Sequence, residues 1–196
     1  MPTLLFINAC VRGEDSRTLA LAQQLLERIR EANSLDMTFQ IEEIRLSTEH
    51  MLPLNYERLK RREELLAAGQ TNDTMFDYAN AVANADMLVI AAPYWDMSFP
   101  AVLKIFFELA SVVGITFTYA EDGTPVGLTH ARDMYYVTTS GAYIGNCNFG
   151  FDYADALCRL YGVENTHFVC AEGLDAEGAD VAAILEKACS GEILNF

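Results

Sequence analysis

The sequence predicts an α/β protein in which helices cover both faces of a five-stranded parallel sheet. Two observations support this prediction. Short apolar runs alternate along the chain with segments whose apolar residues recur at helical spacing. Two of the strand-like runs, residues 4–7 and 87–90, are also continuously apolar, as expected for strands that are buried on both faces. Right-handed crossovers between such strands produce a doubly wound domain.

The predicted elements begin with a strand, a helix and a second strand. Residues 3–8 are apolar through their centre, which is typical of a fully buried strand. Apolar residues then recur at helical spacing over residues 18–32. Phe39, Ile41 and Ile44 indicate the second strand, so these three segments predict a βαβ unit.

A long connection follows at residues 45–73. It is polar, has weak periodicity and carries a basic cluster between Arg58 and Arg62. Two interpretations stay open, namely a mobile or interface-forming excursion and a solvated helix within a long connection. The sequence assigns no chemistry to the basic cluster.

The middle of the chain contains a helix, the third strand and another helix. Apolar residues share one face of the helix predicted over residues 74–85, which leads into an apolar strand at residues 87–90. The next helix begins after Pro100, because proline suits a first helical turn, where its missing N–H would be unpaired in any case.

The last part of the chain completes the sheet. Alternating apolar and polar residues next to a turn predict a small hairpin insertion at residues 115–128. The remaining predicted elements are strands at residues 134–139 and 166–171 and helices at residues 153–161 and 179–189. We therefore expect residues 1–196 to form a single domain.

Composition argues against several classes of partner. The net charge of −15 disfavours nucleic acid and anionic membrane surfaces, because both bind through clustered Lys and Arg. No apolar run approaches the roughly 18 residues that a membrane span requires. The N-terminus has neither a basic leader nor a cleavage site. We therefore expect a cytoplasmic protein without a nucleic-acid or membrane partner.

The cysteines do not form a recognisable metal or disulfide pattern. Their number is odd, their spacing is wide and irregular, and no histidine lies close enough to complete a zinc motif. We expect buried, reduced thiols and no metal site. The five residues are Cys10, Cys147, Cys158, Cys170 and Cys189.

The loop between the first strand and the first helix is a candidate phosphate site. Unpaired N–H groups and the helix dipole favour an anion there, and Ser16, Arg17 and Thr18 add hydroxyl and backbone donors. The alternative is that Ser16 or Asp15 only caps the helix. The glycine patterns of triphosphate and dinucleotide sites do not occur in this loop.

An aromatic-rich loop follows the third strand and contains Pro93, Tyr94, Trp95, Asp96 and Met97. Ligands of open α/β sheets bind at the carboxyl ends of the strands, so a Tyr-Trp pair at this position predicts a platform for a flat ring. The alternative is that the aromatic side chains only pack against the edge of the sheet.

A third loop, after the fourth strand of the sheet, contains Ser140, Gly141, Ala142 and Tyr143. Glycine lets backbone amides approach a ligand closely, although an ordinary turn also explains Gly141. All three loops are expected at the carboxyl edge of one sheet. Together they provide a phosphate seat, an aromatic wall and amide donors, which predicts a site for FMN.

From Leu4 to about Gly173 the chain resembles the flavodoxin-like NAD(P)H quinone reductases and FMN-dependent azoreductases. The segments that carry the resemblance are SRT at 16–18, APYWDMSFP at 92–100 with LK at 103–104, GITFTY at 114–119 and TSGA at 139–142. The resemblance implies a five-stranded sheet of the flavodoxin type, non-covalently bound FMN, and a homodimer with its two active sites at the subunit interface.

Carried over by position, the resemblance also implies roles for individual residues. Those implied to hold the phosphate are Cys10, Ser16, Arg17 and Thr18. Those implied to lie along the isoalloxazine ring are Tyr94, Trp95, Asp96 and Met97, with Pro93 beside them. Those implied to cover the pyrimidine side of the ring are Ser140, Gly141, Ala142 and Tyr143.

Two positions depart from the pattern of the family. Cys10 stands where many members have serine, which exchanges a good phosphate donor for a poor one. Asp96 stands where azoreductases often have asparagine. A charged carboxylate beside the ring would disfavour an anionic reduced flavin and lower its reduction potential.

The resemblance implies that NADH or NADPH stacks over the flavin and gives it a hydride, and that a small aromatic electron acceptor, such as a quinone or azo compound, then occupies the same space. The kinetics should therefore be ping-pong. We expect Trp95 and Tyr143 to form walls of the acceptor pocket. Phe117 and Tyr119 are expected to extend it from the same or the partner subunit. No catalytic side chain is assigned, because the flavin carries the chemistry.

Two other functions stay open on sequence grounds. One is a flavodoxin-type carrier of single electrons, whose acidity would suit docking on basic protein partners. The other is an interaction protein of the same fold that binds no FMN, because fold alone does not establish function.

Overall fold

The computed structural model describes residues 1–33 and 39–190. In this part of the chain, five parallel strands form a sheet in the order β2-β1-β3-β6-β7, and β4 pairs antiparallel with β5. The strands are β1 (Thr3–Asn8), β2 (Gln40–Arg45), β3 (Met87–Ala91), β4 (Phe117–Tyr119), β5 (Pro125–Gly127), β6 (Asp133–Thr139) and β7 (Asn165–Ala171). The helices are α1 (Arg17–Asn33), α2 (Tyr56–Ala67), α3 (Asp77–Asn84), α4 (Ala101–Ala110), α5 (Phe149–Tyr161) and α6 (Val181–Ser190).

The sheet separates two apolar layers, because successive side chains of a strand point to opposite faces. On one face, Leu5 and Ile7 of β1 pack in a cluster with residues of α3, α4 and α5, including Phe106. On the other face, Leu4 and Phe6 pack with residues of α1 and α6. The predicted parallel sheet with helices on both faces is confirmed.

The long connection at residues 45–73 contains α2, which is mostly exposed and buries Leu65. Its basic cluster makes structural contacts. The Arg62 guanidinium donates to the carbonyl of Glu108 at 3.4 Å, and Arg61 lies 4.0 Å from Glu64. This part of the chain therefore contains the solvated helix that was one of the two interpretations of the connection.

The segment predicted as a hairpin forms the β4–β5 pair and packs against the end of α5. A Cβ atom on Gly127 would lie only 2.2 Å from the backbone nitrogen of Gly162. This close approach between two backbones requires glycine at position 127, because any larger residue would force the hairpin away from the body of the fold.

The starts of two helices differ from the sequence prediction by more than two residues. The helix predicted to start at residue 153 begins at Phe149, because the side chain of Asn148 caps it and accepts a hydrogen bond from the N–H of Phe151 at 3.3 Å. The helix predicted from residue 74 begins with a short 3₁₀ turn, Thr74–Phe76, before α3.

All five cysteines are free thiols, but their burial differs. Cys10, Cys158 and Cys189 are buried as expected, whereas Cys147 and Cys170 are only half-buried. Within residues 1–33 and 39–190, no helix is both long enough and apolar enough to span a membrane. The predicted single domain also includes residues 34–38 and 191–196, which lie outside the described residues.

Candidate functional site

The three candidate loops meet at the carboxyl edge of the sheet and enclose a cavity of about 220 Å³. The cavity lies beside the junction of β1 and β3, the point where the strand order reverses and where open α/β sheets bind their ligands. Its lining residues are Val11, Arg12, Asp15, Ser16, Arg17, Thr18, Pro93, Tyr94, Trp95, Thr139, Gly141 and Asp175.

The first loop ends in the N-terminus of α1, which opens onto the cavity. Ser16 caps this helix, because its hydroxyl accepts from the N–H of Leu19 at 3.3 Å and its carbonyl accepts from the N–H of Ala20 at 3.0 Å. The amides of Arg17 and Thr18 belong to the first turn, where N–H groups have no acceptor within the helix. The capping alternative and the anion-binding interpretation are therefore compatible.

Two contacts hold the start of α1 to the strand ends beside it. The hydroxyls of Thr18 and Thr139 lie 2.6 Å apart in a buried hydrogen bond between α1 and β6. The Arg17 guanidinium donates from one nitrogen to the Leu174 carbonyl at 3.2 Å and to the Asp175 carboxylate at 2.8 Å. The first loop is thereby fixed relative to the loop that follows β7.

The second loop turns back on itself as a two-residue hairpin. Trp95 and Ser98 exchange backbone hydrogen bonds of 3.1 and 2.7 Å, and the two residues between them, Asp96 and Met97, have φ angles of 50° and 66°. This is the pattern of a turn that normally contains Asn-Gly or Asp-Gly. The turn projects Trp95, which is 42% exposed, from the edge of the sheet.

The aromatic residues of this loop have different surroundings. Phe99 packs edge-on against Phe107 of α4 and Tyr153 of α5. Tyr94 donates its hydroxyl to the carbonyl of Cys147 at 2.9 Å, and partial burial raises the pKa of Tyr94 above its usual value. Tyr94 and Trp95 both line the cavity, and the ring of Trp95 is the more exposed of the two.

The third loop lies against the segment that follows β7. The N–H of Gly173 donates to the carbonyl of Ala142 at 3.2 Å, and the carboxylate of Glu172 accepts from the N–H of Ile144 at 2.8 Å. Tyr143 is 76% exposed, and its ring lies over Gly173, where a Cβ atom would be 3.1 Å from it.

Some of the predicted site residues do not line the cavity. Cys10 is buried, its sulfur lies 3.7 Å from the carbonyl oxygen of Ala91, and burial raises the pKa of its thiol to about 11. Phe117 is buried in the core, where its ring stacks with Tyr161, and it does not line this cavity. Tyr119 packs against Phe117 and is half exposed on the hairpin.

The other predicted residues that do not line the cavity lie within two positions of a residue that does. They are Asp96, Met97, Ser140, Ala142 and Tyr143. The sequence prediction in turn omitted Val11, Arg12, Asp15, Thr139 and Asp175. The first three belong to the loop already selected, and Thr139 is the last residue of β6. Asp175 follows the carboxyl end of β7, so applying the strand-end rule to every strand would have included it.

A parallel sheet with this strand order and a cavity at its switch point defines a class of doubly wound α/β proteins. Residues 2–191 match the model of a protein family described as having a flavodoxin-like fold, and the chain belongs to that family.

Similar proteins have names that describe a shared activity. The chain is 31% identical to FMN-dependent NADH:quinone oxidoreductase 2 of Clostridium acetobutylicum, with 95% of this chain and 94% of that protein covered. It is 30% identical to FMN-dependent NADH:quinone oxidoreductase of Lachnoclostridium phytofermentans, with the same coverage of 95% and 94%.

Solved structures share the fold. An FMN-dependent NADH-azoreductase from Bacillus anthracis str. Ames Ancestor, solved in complex with FMN, matches with a TM-score of 0.81 at 23% identity, covering 97% of this chain and 95% of that one. An azoreductase from Bacillus anthracis str. Sterne matches with a TM-score of 0.81 at 22% identity, covering 97% and 98%.

Proposed function

We propose that this protein is an FMN-dependent oxidoreductase that passes a hydride from NADH through FMN to a quinone, azo or other aromatic acceptor. The observation that carries the proposal is the meeting of three strand-end loops around one cavity, which combines the amides of α1 with the exposed ring of Trp95. The names of the relatives support the same activity.

The residues fit the two parts of FMN, its ribityl phosphate and its ring, at two neighbouring places. A cavity of about 220 Å³ is smaller than the roughly 300–1,000 Å³ of a complete drug-sized pocket, so it suits the ribityl phosphate rather than the whole molecule. The first-turn amides of Arg17 and Thr18 would hold the phosphate, since a helix N-terminus favours an anion. The ring would then lie outside the cavity, along Pro93 to Met97.

FMN, when bound, would accept a hydride from the nicotinamide and pass it to the acceptor. The contribution of the chain is to bind and orient. Trp95 would provide a face against which a flat acceptor can pack and from which water is excluded. The backbone of Gly141 can approach a ligand closely, because this residue has no Cβ atom. The carboxylate of Asp96 would disfavour negative charge on the ring.

We propose NADH as the donor, because the relatives are named for it. The preference over NADPH is a separate question that side-by-side measurement decides. We also propose a homodimer in the cytoplasm, in which a second copy covers the proposed ring site. The apolar side chains of Trp95, Met97 and Phe149 support the dimer, because they are exposed on and beside the second loop, where the N–H of Phe149 bonds to the carbonyl of Met97.

Anaerobic stopped-flow reduction of the FMN-loaded protein by NADH and by NADPH tests the activity. We expect rapid reduction by NADH and rapid reoxidation by quinones or azo compounds. In steady-state assays that vary the concentrations of both substrates, double-reciprocal plots should give parallel lines, as a ping-pong mechanism requires. Slow reduction by both nucleotides would favour the single-electron carrier instead. A preparation that gains no flavin absorbance in excess FMN would favour the interaction protein.

A further inference from the structure

Asp175 lines the candidate phosphate cavity and contacts both the third loop and the first residue of α1. Its N–H donates to the carbonyl of Gly141 at 3.0 Å, which fixes the backbone beside the third loop. Its carboxylate reaches the guanidinium of Arg17 at 2.8 Å, although the two residues are 158 positions apart in the chain. The same nitrogen of Arg17 also bonds to the carbonyl of Leu174, so the arginine is turned towards the Asp175 loop.

The carboxylate of Asp175 occupies space that a side chain at position 141 would fill. A Cβ atom on Gly141 would lie 1.9 Å from one of its oxygens. Both residues line the cavity that the N-terminus of α1 opens onto. A negative charge therefore stands in the wall of a cavity whose helix amides favour an anion.

This arrangement sets two anions in competition for one cation. A phosphate at the amides of Arg17 and Thr18 would share the cavity with the Asp175 carboxylate, and like charges within one small cavity repel. The Asp175 side chain is 69% exposed and that of Arg17 36%, so the ion pair is weak enough to exchange.

We propose that Asp175 limits the affinity of the cavity for phosphate-bearing ligands by competing for Arg17 and by repelling the phosphate. The proposal rests on the FMN site described above. Bound FMN then exchanges with free FMN. Its phosphate contributes less to the binding free energy than it would if the helix N-terminus and Arg17 acted without Asp175.

Fluorescence titrations with FMN and with riboflavin test this role, because riboflavin lacks the phosphate. The proteins compared are the wild type, Asp175→Asn and the control Glu177→Gln. The control removes the same charge from an exposed residue two positions away that does not line the cavity. Asp175→Asn should lower the Kd of FMN about three- to tenfold, as expected for one charge near a phosphate in a largely solvated site. The Kd of riboflavin, and both values for the control, should change less than twofold.

The other outcomes have distinct meanings. If Asp175→Asn leaves the Kd of FMN unchanged or raises it, Asp175 orients Arg17 rather than competing for it, and the inference is overturned. An equal gain for riboflavin also overturns it, because the effect then does not involve the phosphate. If the wild type binds neither flavin, the proposed function fails, and the inference fails with it. Thermal unfolding of each variant verifies that it is folded. Asp175→Ser is a second variant that removes the same charge, and its Kd for FMN should fall as that of Asp175→Asn does.

Discussion

At the scale of single residues, Trp95 is central to acceptor binding. Its side chain is 42% exposed beside the cavity, so it offers apolar area without being required for the core. Trp95→Ala should lower kcat/KM for aromatic acceptors by about tenfold, the scale expected for a lost aromatic contact. The ratio of FMN to riboflavin affinity should remain, because the phosphate is held elsewhere. Tyr56→Ala, which removes a more exposed ring from α2, is the control. Unchanged kinetics with every acceptor would remove Trp95 from the pocket.

Thr138 and Thr139 give a second prediction at this scale. The Thr138 hydroxyl is buried and has no hydrogen-bond partner among the described residues, whereas that of Thr139 bonds to Thr18. Thr138→Val should therefore raise the free energy of unfolding by about 1 kcal/mol, since a buried unpaired polar group is costly. Thr139→Val should lower it by about 1–2 kcal/mol, because it leaves the Thr18 hydroxyl unpaired. Urea denaturation measures both, and a loss of stability in Thr138→Val would contradict the account.

At the scale of elements, the turn after β3 has an unfavourable backbone. Met97 adopts a left-handed conformation with φ of 66°, which costs a residue with a side chain roughly 1–2 kcal/mol. Met97→Gly should stabilise the protein by about 0.5–1 kcal/mol after the greater flexibility of glycine in the unfolded chain is subtracted. Met97→Ala keeps the unfavourable conformation and is the matched control. Equal stability of the two variants would show that the turn relaxes without cost.

The attachment of α5 to β7 should depend on pH. The hydrogen bond from Arg159, followed by that from Thr166, lowers the pKa of Asp155. A lowered folded-state pKa adds stability that is fully present above the unfolded value of about 3.9 and is lost as the pH falls through the folded value. Asp155→Asn should thus lower the melting temperature at pH 7, and the difference from the wild type should shrink below about pH 3.9. A difference that stays constant with pH would show that the charge contributes nothing.

The observed helices and strands show which features of the fold can be predicted from the sequence. Periodicity located the strands and helices of the sheet, because apolar burial sets their pattern directly. It did not locate the start of α5, where a capping side chain, Asn148, decides the boundary. The family resemblance implies a phosphate contact for Cys10, and Phe117 is expected to extend the pocket, but both side chains are buried and neither lines the cavity. The contact of Asp175 with Arg17 depends on the path of the chain after β7, and no local pattern encodes that path.

At the scale of the whole molecule, the order of the strands creates the site. The strand order reverses between β1 and β3, so the loops that follow these strands diverge and leave a cavity, while the loops after β6 and β7 close one side of it. The chain is strongly acidic, but the cavity wall contains two cations, Arg12 and Arg17, beside two carboxylates, Asp15 and Asp175. The side chains of the wall therefore bring no net charge, and the N-terminus of α1 supplies the attraction for an anionic cofactor.

A crystal structure of the protein loaded with FMN is the most direct test of this account. We predict that the phosphate lies about 2.7–3.2 Å from the amide nitrogens of Arg17 and Thr18, as hydrogen bonds require, and that the ring lies along Pro93 to Met97. A flavin bound elsewhere on the molecule, or one whose phosphate points away from the start of α1, would contradict the central claim.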